Sequence, residues 1–296
     1  MIEKRLILGE THDEERSFYA LRDTRLINCS FEGPADGESA LKEASGVEAE
    51  DCRFLLRYPL WHDRDFVLRR CLMTDTARAA IWYARDGLLE DCRLEGIKAL
   101  RECDGIRVKG CEIVSPEFGW KCRNISLEDT RVTSEYLFLD SRDISLKNVT
   151  MKGKYSFQYI ENLEITDSTL DTKDAFWHTK NVTVRNSLVK GEYLGWYSEN
   201  LTLIHCRIIG TQPLCYCKNL RLVDCTMEGT DLAFEYSQVE AEVTGTIESV
   251  KNPKSGRILC DGVGQVIMDG SVMDCTGKVI LRGRLEEEKH LSQGEL

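Results

Sequence analysis

Hydrophobic and polar residues alternate in short segments that recur along most of the chain. Each segment has an Asn or Asp, apolar residues separated by single polar ones, and then a small residue. Clear copies are RDGLLEDCRLEG (85–96), RNISLEDTRVTS (123–134), ENLTLIHCRIIG (199–210) and KNLRLVDCTMEG (218–229). An alternation with a period of two, rich in Leu, Ile and Val, predicts β-strands, and no segment shows the longer period of an amphipathic helix.

The small residue that ends each alternation marks a constant period, and we call its place position c. The residues at position c, spaced 19 apart, are Cys92, Cys111, Thr130, Val149, Ser168, Ser187, Cys206, Cys225 and Thr244. Cys52 and Cys71 are also 19 apart, whereas insertions lengthen the intervals from Cys29 to Cys52 and from Cys71 to Cys92. A short, constant period predicts a solenoid, in which each unit buries its apolar face by stacking on its neighbours.

The content of the repeat selects one kind of solenoid. Leucine-rich repeats need further leucines where this chain has segments such as EYLGWYSEN, and a left-handed hexapeptide helix needs a multiple of six residues. We therefore predict an all-β fold, a single-stranded right-handed parallel β-helix of about twelve coils. It is expected to form a single domain, in which residues 1–21 cap one end, residues 22–245 form regular coils, and residues 246–296 form C-terminal coils, a cap and a polar tail.

Each repeat begins with Arg, Lys or Glu and then Asn or Asp, and it continues with the alternation and a small residue. Together with the opening segment, these repeats resemble an uncharacterised bacterial family. That family is a domain of unknown function placed with the pectate-lyase-like β-helices. The resemblance covers nearly the whole chain and implies the fold without an established activity. The clustered catalytic aspartates of polygalacturonases, and the calcium-binding aspartates with a nearby arginine of pectate lyases, are not found in the sequence, so no catalytic residue is carried over.

Residues at one repeat position form a column in a β-helix, with about 4.8 Å between successive coils. Positions c−5 and c−3 are apolar in nearly every coil and are predicted to face inward. Position c holds Cys, Ser, Thr or Val, so most of the 13 cysteines are interpreted as core filling. Position c−6 is Asn or Asp in most coils, which predicts a ladder at a tight bend, with side chains bonded to the backbone of the next coil.

All five tryptophans share position c−10, namely Trp61, Trp82, Trp120, Trp177 and Trp196. Because the residue two positions later is small in most coils, the alternation predicts that the indoles lie in the core, with Phe234 in the same column. Positions c−13, c−11 and c−9, the last including Glu235, should then face solvent. Together they form a face rich in aromatic residues, whose substrate-binding candidates are Tyr136, Tyr155, Phe157, Tyr159, Phe176, Tyr193, Tyr197 and Tyr216.

Three interpretations of this face stay open. In the first, the rings stack on an oligosaccharide, and an acid and a base from the same face cleave it by hydrolysis or elimination. The catalytic candidates are Lys121, Asp140, Asp174 and His178. In the second, the face is a non-catalytic docking surface for another protein or a second copy of the chain, because aromatic residues dominate interface cores. In the third, a capping loop covers the face and it has no function.

Charge and motifs restrict the other classes of function. A net charge of −11 without a basic run argues against nucleic-acid and anionic-membrane partners. No segment has the length and hydropathy of a signal peptide or a membrane span, so a cytoplasmic location is expected. Cys215 and Cys217 lack a second pair that would complete a zinc site, and no glycine-rich nucleotide motif is present, so neither a metal nor a cofactor is predicted.

Overall fold

The computed structural model describes residues 4–269 and 272–283. The chain forms an all-β parallel solenoid of about 14 turns with a repeat of about 19 residues and almost no helix. The predicted fold class is confirmed, with slightly more turns than expected. By its internal contacts the chain divides into two compact units, which we call unit 1 (Met1–Gly153) and unit 2 (Lys154–Leu296).

Unit 1 is built from three columns of parallel strands. The first column comprises β1 (Arg5–Leu8), β3 (Thr24–Ile27), β5 (Glu48–Glu50), β8 (Arg64–Arg69), β11 (Arg85–Glu90), β14 (Asp104–Lys109), β16 (Arg123–Glu128) and β18 (Arg142–Lys147). The second comprises β2 (Thr11–His12), β4 (Ser30–Phe31), β6 (Arg53–Phe54), β9 (Leu72–Met73), β12 (Arg93–Leu94), β15 (Glu112–Val114), β17 (Arg131–Ser134) and β19 (Thr150–Lys154). The third comprises β7 (Leu60–Trp61), β10 (Ile81–Trp82) and β13 (Leu100–Arg101). A short 3-10 helix, Asp75–Ala77, follows β9.

Unit 2 has the same design of stacked parallel strands. Its first column comprises β20 (Glu161–Thr166), β22 (Lys180–Arg185), β24 (Glu199–Ile204), β26 (Leu220–Glu228), β27 (Gln238–Thr244), β29 (Ser255–Cys260) and β31 (Lys278–Leu281). Its second comprises β21 (Thr169–Lys173), β23 (Leu188–Lys190) and β25 (Arg207–Ile209), and β28 (Thr246–Lys251) pairs with β30 (Gly262–Ile267). Within unit 1, the segment expected to cap the N-terminal end already contributes a ladder strand, because β1 pairs in parallel with β3.

The strand registers follow the 19-residue period and explain the apolar columns. Leu89 pairs with Val108, and Val184 pairs with Leu203, so equivalent apolar side chains stack directly on one another. Positions c−5 and c−3 are buried from residue 87 to residue 222, as predicted. Burying each aliphatic side chain of this size contributes about 1.5–3 kcal/mol, and this burial drives the stacking of the coils.

The period fails in one coil near the C-terminal end. The register shifts between Leu222 and Cys225, so that Cys225 pairs with Val243, and Thr244 is exposed. The expected place of Thr244 at position c is therefore wrong. In the same coil the amide of Phe234 donates to the carbonyl of Pro213, as the residue at position c−11 does in other coils. Phe234 therefore belongs to position c−11 and Glu235 to position c−10, each one place earlier than predicted.

The cysteines fill the core, as predicted. All 13 are free in the described part of the chain, and only Cys275 is partly accessible. A typical thiol, that of Cys92, lies 3.2 Å from the carbonyl oxygen of Glu90, so it also satisfies backbone at the bend. Burial raises the pKa of the Cys217 thiol to about 11, which keeps it protonated and unreactive.

A thiol reagent should therefore modify one cysteine of the native protein, Cys275, and all 13 after denaturation. Ellman's reagent measures both numbers, and mass mapping identifies the labelled residue. The variant Cys275→Ser should leave the native protein without rapid labelling. Fast native labelling of Cys92 or Cys111 would contradict the assignment of these thiols to the core.

Two polar ladders run along the bends. At position c−6, Asn181, Asn200 and Asn219 have left-handed backbone torsions, and each amide group donates to the previous one at 2.8–3.1 Å. The predicted ladder exists, but these amides bond to each other rather than to the next backbone. A second ladder at position c−1, exemplified by Asn186 donating to Asp167 at 3.2 Å, escaped the sequence analysis.

Candidate functional site

The aromatic face is formed by a series of residues with left-handed backbone torsions. In the coil of unit 2 that contains Asp174, the residues Asp174, Phe176 and His178 have φ of 52°, 62° and 55°, and the residues between them do not. Such an alternation bends the chain instead of extending it. Side chains therefore do not follow the in-and-out order of a strand, and each residue on this face must be located from its own environment.

The phenylalanines expected on this face are core residues. Phe157 and Phe176 are 0% and 2% exposed, and their rings stack at 5.1 Å in unit 2. Phe138 in unit 1 is also fully buried. The prediction that position c−11 faces solvent is wrong, because positions c−12 and c−11 both point inward at the bend. Phe157 and Phe176 are thereby removed from the candidate ligand surface.

The tryptophans at position c−10 are half-buried rather than in the core, so that prediction is also wrong. The indole N–H groups of Trp120, Trp177 and Trp196 donate to carbonyls 16 residues later at 2.7–2.8 Å. In unit 1, the guanidinium of Arg101 lies between the rings of Trp82 and Trp120, at 5.8 and 5.5 Å from their centroids. These contacts give the tryptophans a structural function along the bend.

Three tyrosines at position c−13, Tyr136, Tyr155 and Tyr193, are also half-buried. Tyr193 packs edge-on against Trp196 at 5.6 Å, and Tyr136 packs in the same way against Trp120 at 6.0 Å. The carbonyl of Tyr136 accepts the hydrogen bond from the Trp120 indole, and the carbonyl of Tyr193 accepts that from the Trp177 indole. These residues support the tryptophan column and expose only part of each ring.

Position c−9 carries the exposed part of the aromatic face. We call Tyr159, His178, Tyr197 and Tyr216 in unit 2 the tyrosine ladder. Successive ring centroids are 5.0, 5.0 and 4.7 Å apart, and the interplanar angles are 5°, 5° and 14°. Tyr159 and Tyr197 are 55% and 45% exposed. Burial raises the pKa of the Tyr216 phenol, which therefore stays protonated near neutral pH.

The stacking decides how the tyrosine ladder can contact a ligand. Because the rings lie face to face at nearly the coil spacing, a sugar ring cannot stack on the inner faces. The ladder instead presents ring edges, phenol hydroxyls and an imidazole in a straight row. This arrangement can exchange hydrogen bonds with a polymer that lies along the row, and it differs from the stacking expected from the sequence.

The catalytic candidates of unit 2 do not form an acid–base pair. His178 is stacked between Tyr159 and Tyr197, and within the described residues its side chain makes no hydrogen bond and no ion pair. The carboxyl of Asp174 is at position c−13, four residues before His178, and burial raises its pKa while Lys173 opposes the shift. An acid–base mechanism needs two groups that reach the same bond, and no hydrogen bond or ion pair joins these two residues.

Lys121 and Asp140 occupy position c−9 in consecutive coils of unit 1, and both are exposed. No ion pair within 4.0 Å joins them, although Asp140 is the residue after Leu139, whose carbonyl accepts from the amide of Lys121. Lys121 instead lines a surface cleft next to the stacked rings of His62 and Tyr83, 5.0 Å apart. We call this the basic cleft.

Two features of unit 1 were not predicted from the sequence. Arg64, Arg85 and Arg123 at position c−7 line the basic cleft together with Lys121. Asp63 at position c−8 lies in the core with a 1% exposed side chain, and neither carboxylate oxygen has a hydrogen-bond partner. The repeat alignment contained both signals, since it places several arginines in one column and an acid among small residues.

Among residues 4–269 and 272–283, no group of three or more His, Cys, Asp or Glu side chains is arranged to hold a metal ion. No described helix has the length and apolar composition to cross a membrane. The tyrosine ladder and the basic cleft are two candidate sites for ligand binding.

Comparison with known protein families identifies the family of this chain. A family model described as a protein of unknown function, DUF3737, matches residues 5–281. The chain belongs to the DUF3737 family. This confirms the predicted resemblance to a domain-of-unknown-function family of β-helices. No curated protein matches this DUF3737 chain significantly.

Two solved structures are similar to this DUF3737 protein. PfbA, a surface adhesin of Streptococcus pneumoniae, is similar with a TM-score of 0.51 and 8% identity over 78% of this chain and 82% of the adhesin. An endo-xylogalacturonan hydrolase from Aspergillus tubingensis has a TM-score of 0.38 and 10% identity over 81% of this chain and 87% of the hydrolase. At these identities the first likeness shows the fold alone, and the second adds no argument.

Proposed function

We propose that the protein is a non-catalytic carbohydrate-binding solenoid that holds an oligosaccharide along the tyrosine ladder. The proposal rests on one observation, the row of exposed ring edges and hydroxyls in which Tyr159 and Tyr197 are 55% and 45% exposed. Sugar hydroxyls donate and accept hydrogen bonds, and phenol and imidazole groups can do both. Polar columns next to the ladder, such as Glu161 and Lys180 in register, add further hydrogen-bonding groups.

Binding without catalysis is favoured because the ladder lacks an acid–base pair. The imidazole of His178 lies between two tyrosine rings, each 5.0 Å away, and neither ring provides a carboxylate to orient it. A rigid row of stacked rings suits recognition, because little side-chain entropy is lost when a ligand binds.

The substitution Tyr197→Phe should lower the affinity for a bound oligosaccharide about 3- to 10-fold, because one hydrogen bond contributes about 0.5–1.5 kcal/mol. Tyr197→Asn should lower it further, since it removes the ring edge as well, and Asn tolerates the left-handed backbone at this position. A glycan array finds the ligand, and isothermal titration calorimetry measures the affinities.

Thr202→Ala, on the outward side of β24, is the matched control and should bind like the wild type. Full affinity in Tyr197→Phe would point to stacking on the ring instead of hydroxyl recognition. A dimer that sedimentation detects at high concentration, and that Tyr197→Asn dissociates, would favour the docking interpretation and contradict carbohydrate binding at the ladder.

A further inference from the structure

Four cationic side chains of unit 1 lie in one cleft without a carboxylate partner. Arg64, Arg85, Lys121 and Arg123 line the basic cleft, whose volume is about 410 Å³. Within the described residues, none of the four forms an ion pair within 4.0 Å or a side-chain hydrogen bond. The whole chain carries a net charge of −11, so carboxylates are abundant elsewhere on it.

Other basic residues of this solenoid face acids in the next coil. Arg69 lies 2.8 Å from Glu90, which is 21 residues later. Arg93 lies 3.4 Å from Glu112, one repeat later. Stacked opposite charges of this kind stabilise neighbouring strands, and like charges in register destabilise them.

The column of the basic cleft breaks that pattern. Arg64 pairs in register with Arg85, and Arg123 pairs in register with Arg142. Asp104, which stands between Arg85 and Arg123 in the column, accepts a hydrogen bond of 2.7 Å from Asn124. Asp104 keeps its negative charge when Asn124 donates to it, so the column of Arg64, Arg85, Asp104 and Arg123 sets three arginines against one carboxylate.

Other acids near the cleft are bonded to other residues or lie too far away. Glu43, which lines a neighbouring cleft with Arg64, accepts a hydrogen bond of 2.8 Å from Tyr19. Glu102, on the cleft wall, is paired with Arg101 at 3.1 Å. Asp65 and Asp86 follow Arg64 and Arg85 in sequence, but they lie beyond ion-pair distance of them. The lining of the cleft therefore has four basic and two acidic side chains, so its net charge is positive although the protein as a whole is acidic.

We propose that the basic cleft binds an elongated, hydroxyl-bearing ligand with two oxyanion groups about two coils apart, which is roughly 10 Å at the coil spacing. Arg64 and Arg85 hold one oxyanion, and Lys121 and Arg123 hold the other, because guanidinium groups bind carboxylate and sulfate through paired hydrogen bonds. Ligand hydroxyls lie over Asp104 and donate to its carboxylate. A short acidic oligosaccharide has this chemistry.

A nucleic acid fits the cleft less well. Its phosphates are closely and regularly spaced, so its backbone would extend past the cleft into the negative field of the protein. An oligosaccharide with separated carboxylates or sulfates carries fewer charges per unit length. The inference uses residues of unit 1 alone and does not depend on the tyrosine ladder, which belongs to the proposed function.

The test is calorimetric titration of the full chain with galacturonate oligomers of increasing length, neutral galactose oligomers and a sulfated oligosaccharide. The affinity should rise at least 10-fold between the monomer and the first oligomer that spans both arginine sites, and it should fall as salt is added. Arg85→Ala and Arg123→Ala should each weaken binding at least 10-fold. Arg93→Ala, on a separate column of unit 1 and ion-paired, is the matched control and should have no effect.

The variants also test the charge argument without a ligand. Because Arg64 is in register with Arg85 on one side and with Ser45 on the other, Arg64→Ala should leave the melting temperature unchanged or higher, and a marked decrease would overturn the argument. Equal affinity for neutral oligomers, equal affinity for the monomer, or tighter binding of a single-stranded oligonucleotide would overturn the proposal. A preference for carboxylate or for sulfate would identify the oxyanion and support the proposal. Binding that Tyr197→Asn abolishes and Arg85→Ala leaves intact would support the proposed function alone.

Discussion

Phe157→Ala should lower the free energy of unfolding by about 3–5 kcal/mol, the cost of removing a buried phenylalanine ring. The ring of Phe157 is 0% exposed and stacks on Phe176, so its loss leaves a cavity and an unsupported neighbour. The backbone at Phe157 is left-handed, which is strained for Phe and Ala alike, so the loss of packing is the main effect. Denaturant unfolding followed by circular dichroism measures the change.

Tyr159→Ala, two residues later, is the matched control. Tyr159 also has a left-handed backbone, with φ of 56° against 63° for Phe157, but it is 55% exposed. The expected loss is about 1 kcal/mol or less, from one ring-stacking contact. If both variants lost the same stability, the assignment of position c−11 to the core and position c−9 to the surface would be contradicted.

The contrast between Phe157 and Tyr159 also shows which features of the fold were predictable. Columns such as that of Leu89 and Val108 lie on strands, where the alternation of the sequence reports directly which side chains face inward. The period then fixes the register, because a slip of one residue would expose the apolar column. Sequence reasoning therefore recovers the fold class, the cysteine column and the ladder at position c−6.

At the bend, the alternation of the sequence does not predict which side chains face inward. Where left-handed residues alternate with others, as at Asp174, Phe176 and His178, two neighbouring residues can point inward together, and the period-two rule assigns them wrongly. The repeat position of Thr244 was also predicted wrongly, because the register shift between Leu222 and Cys225 changes which residues of the two coils pair. Neither effect leaves a composition signal, because aromatic residues and Asp occupy the left-handed positions as readily as Gly.

Candidate site residues were predictable only where exposure follows from the repeat. The solvent exposure of Tyr159 and Tyr197 was predicted correctly, whereas the face-to-face stacking of the ladder needs the ring orientations. The uncompensated charge of Arg64 and Arg85 also needs the structure, because only the contacts show that no acid reaches them.

Substitution of Asp63 is expected to change the stability of the protein markedly, because its carboxyl lies in the core of unit 1. It occupies the small position c−8, where the neighbouring coils carry Ala44 and Ala84. Burial raises the pKa of the Asp63 carboxyl well above its ordinary value, and two backbone amides and Arg22 only partly oppose the shift. These amides do not reach either oxygen with good hydrogen-bond geometry, so the group destabilises the fold whether protonated or charged.

The sign of the pH dependence follows from the direction of that shift. Because the pKa of Asp63 is higher in the folded than in the unfolded protein, the folded state keeps the proton at pH values where the unfolded state has lost it. The contribution of Asp63 to stability is therefore most favourable below the ordinary pKa of aspartate. It is lost as the pH rises, by up to about 1.4 kcal/mol per pH unit, until the folded pKa is reached.

Asp63→Ala should therefore stabilise the protein at neutral pH by about 1–3 kcal/mol, the cost of an unsatisfied buried polar group. The gain should shrink as the pH falls toward 4, since the unfolded state then regains its proton. Asp63→Asn should remove the pH dependence but recover less stability, because its amide is also unsatisfied. Asp65→Asn, an exposed control with a left-handed backbone, should change little. Parallel stability profiles for wild type and Asp63→Ala between pH 4 and 8 would mean that Asp63 is ionised in the folded protein, against the burial observed.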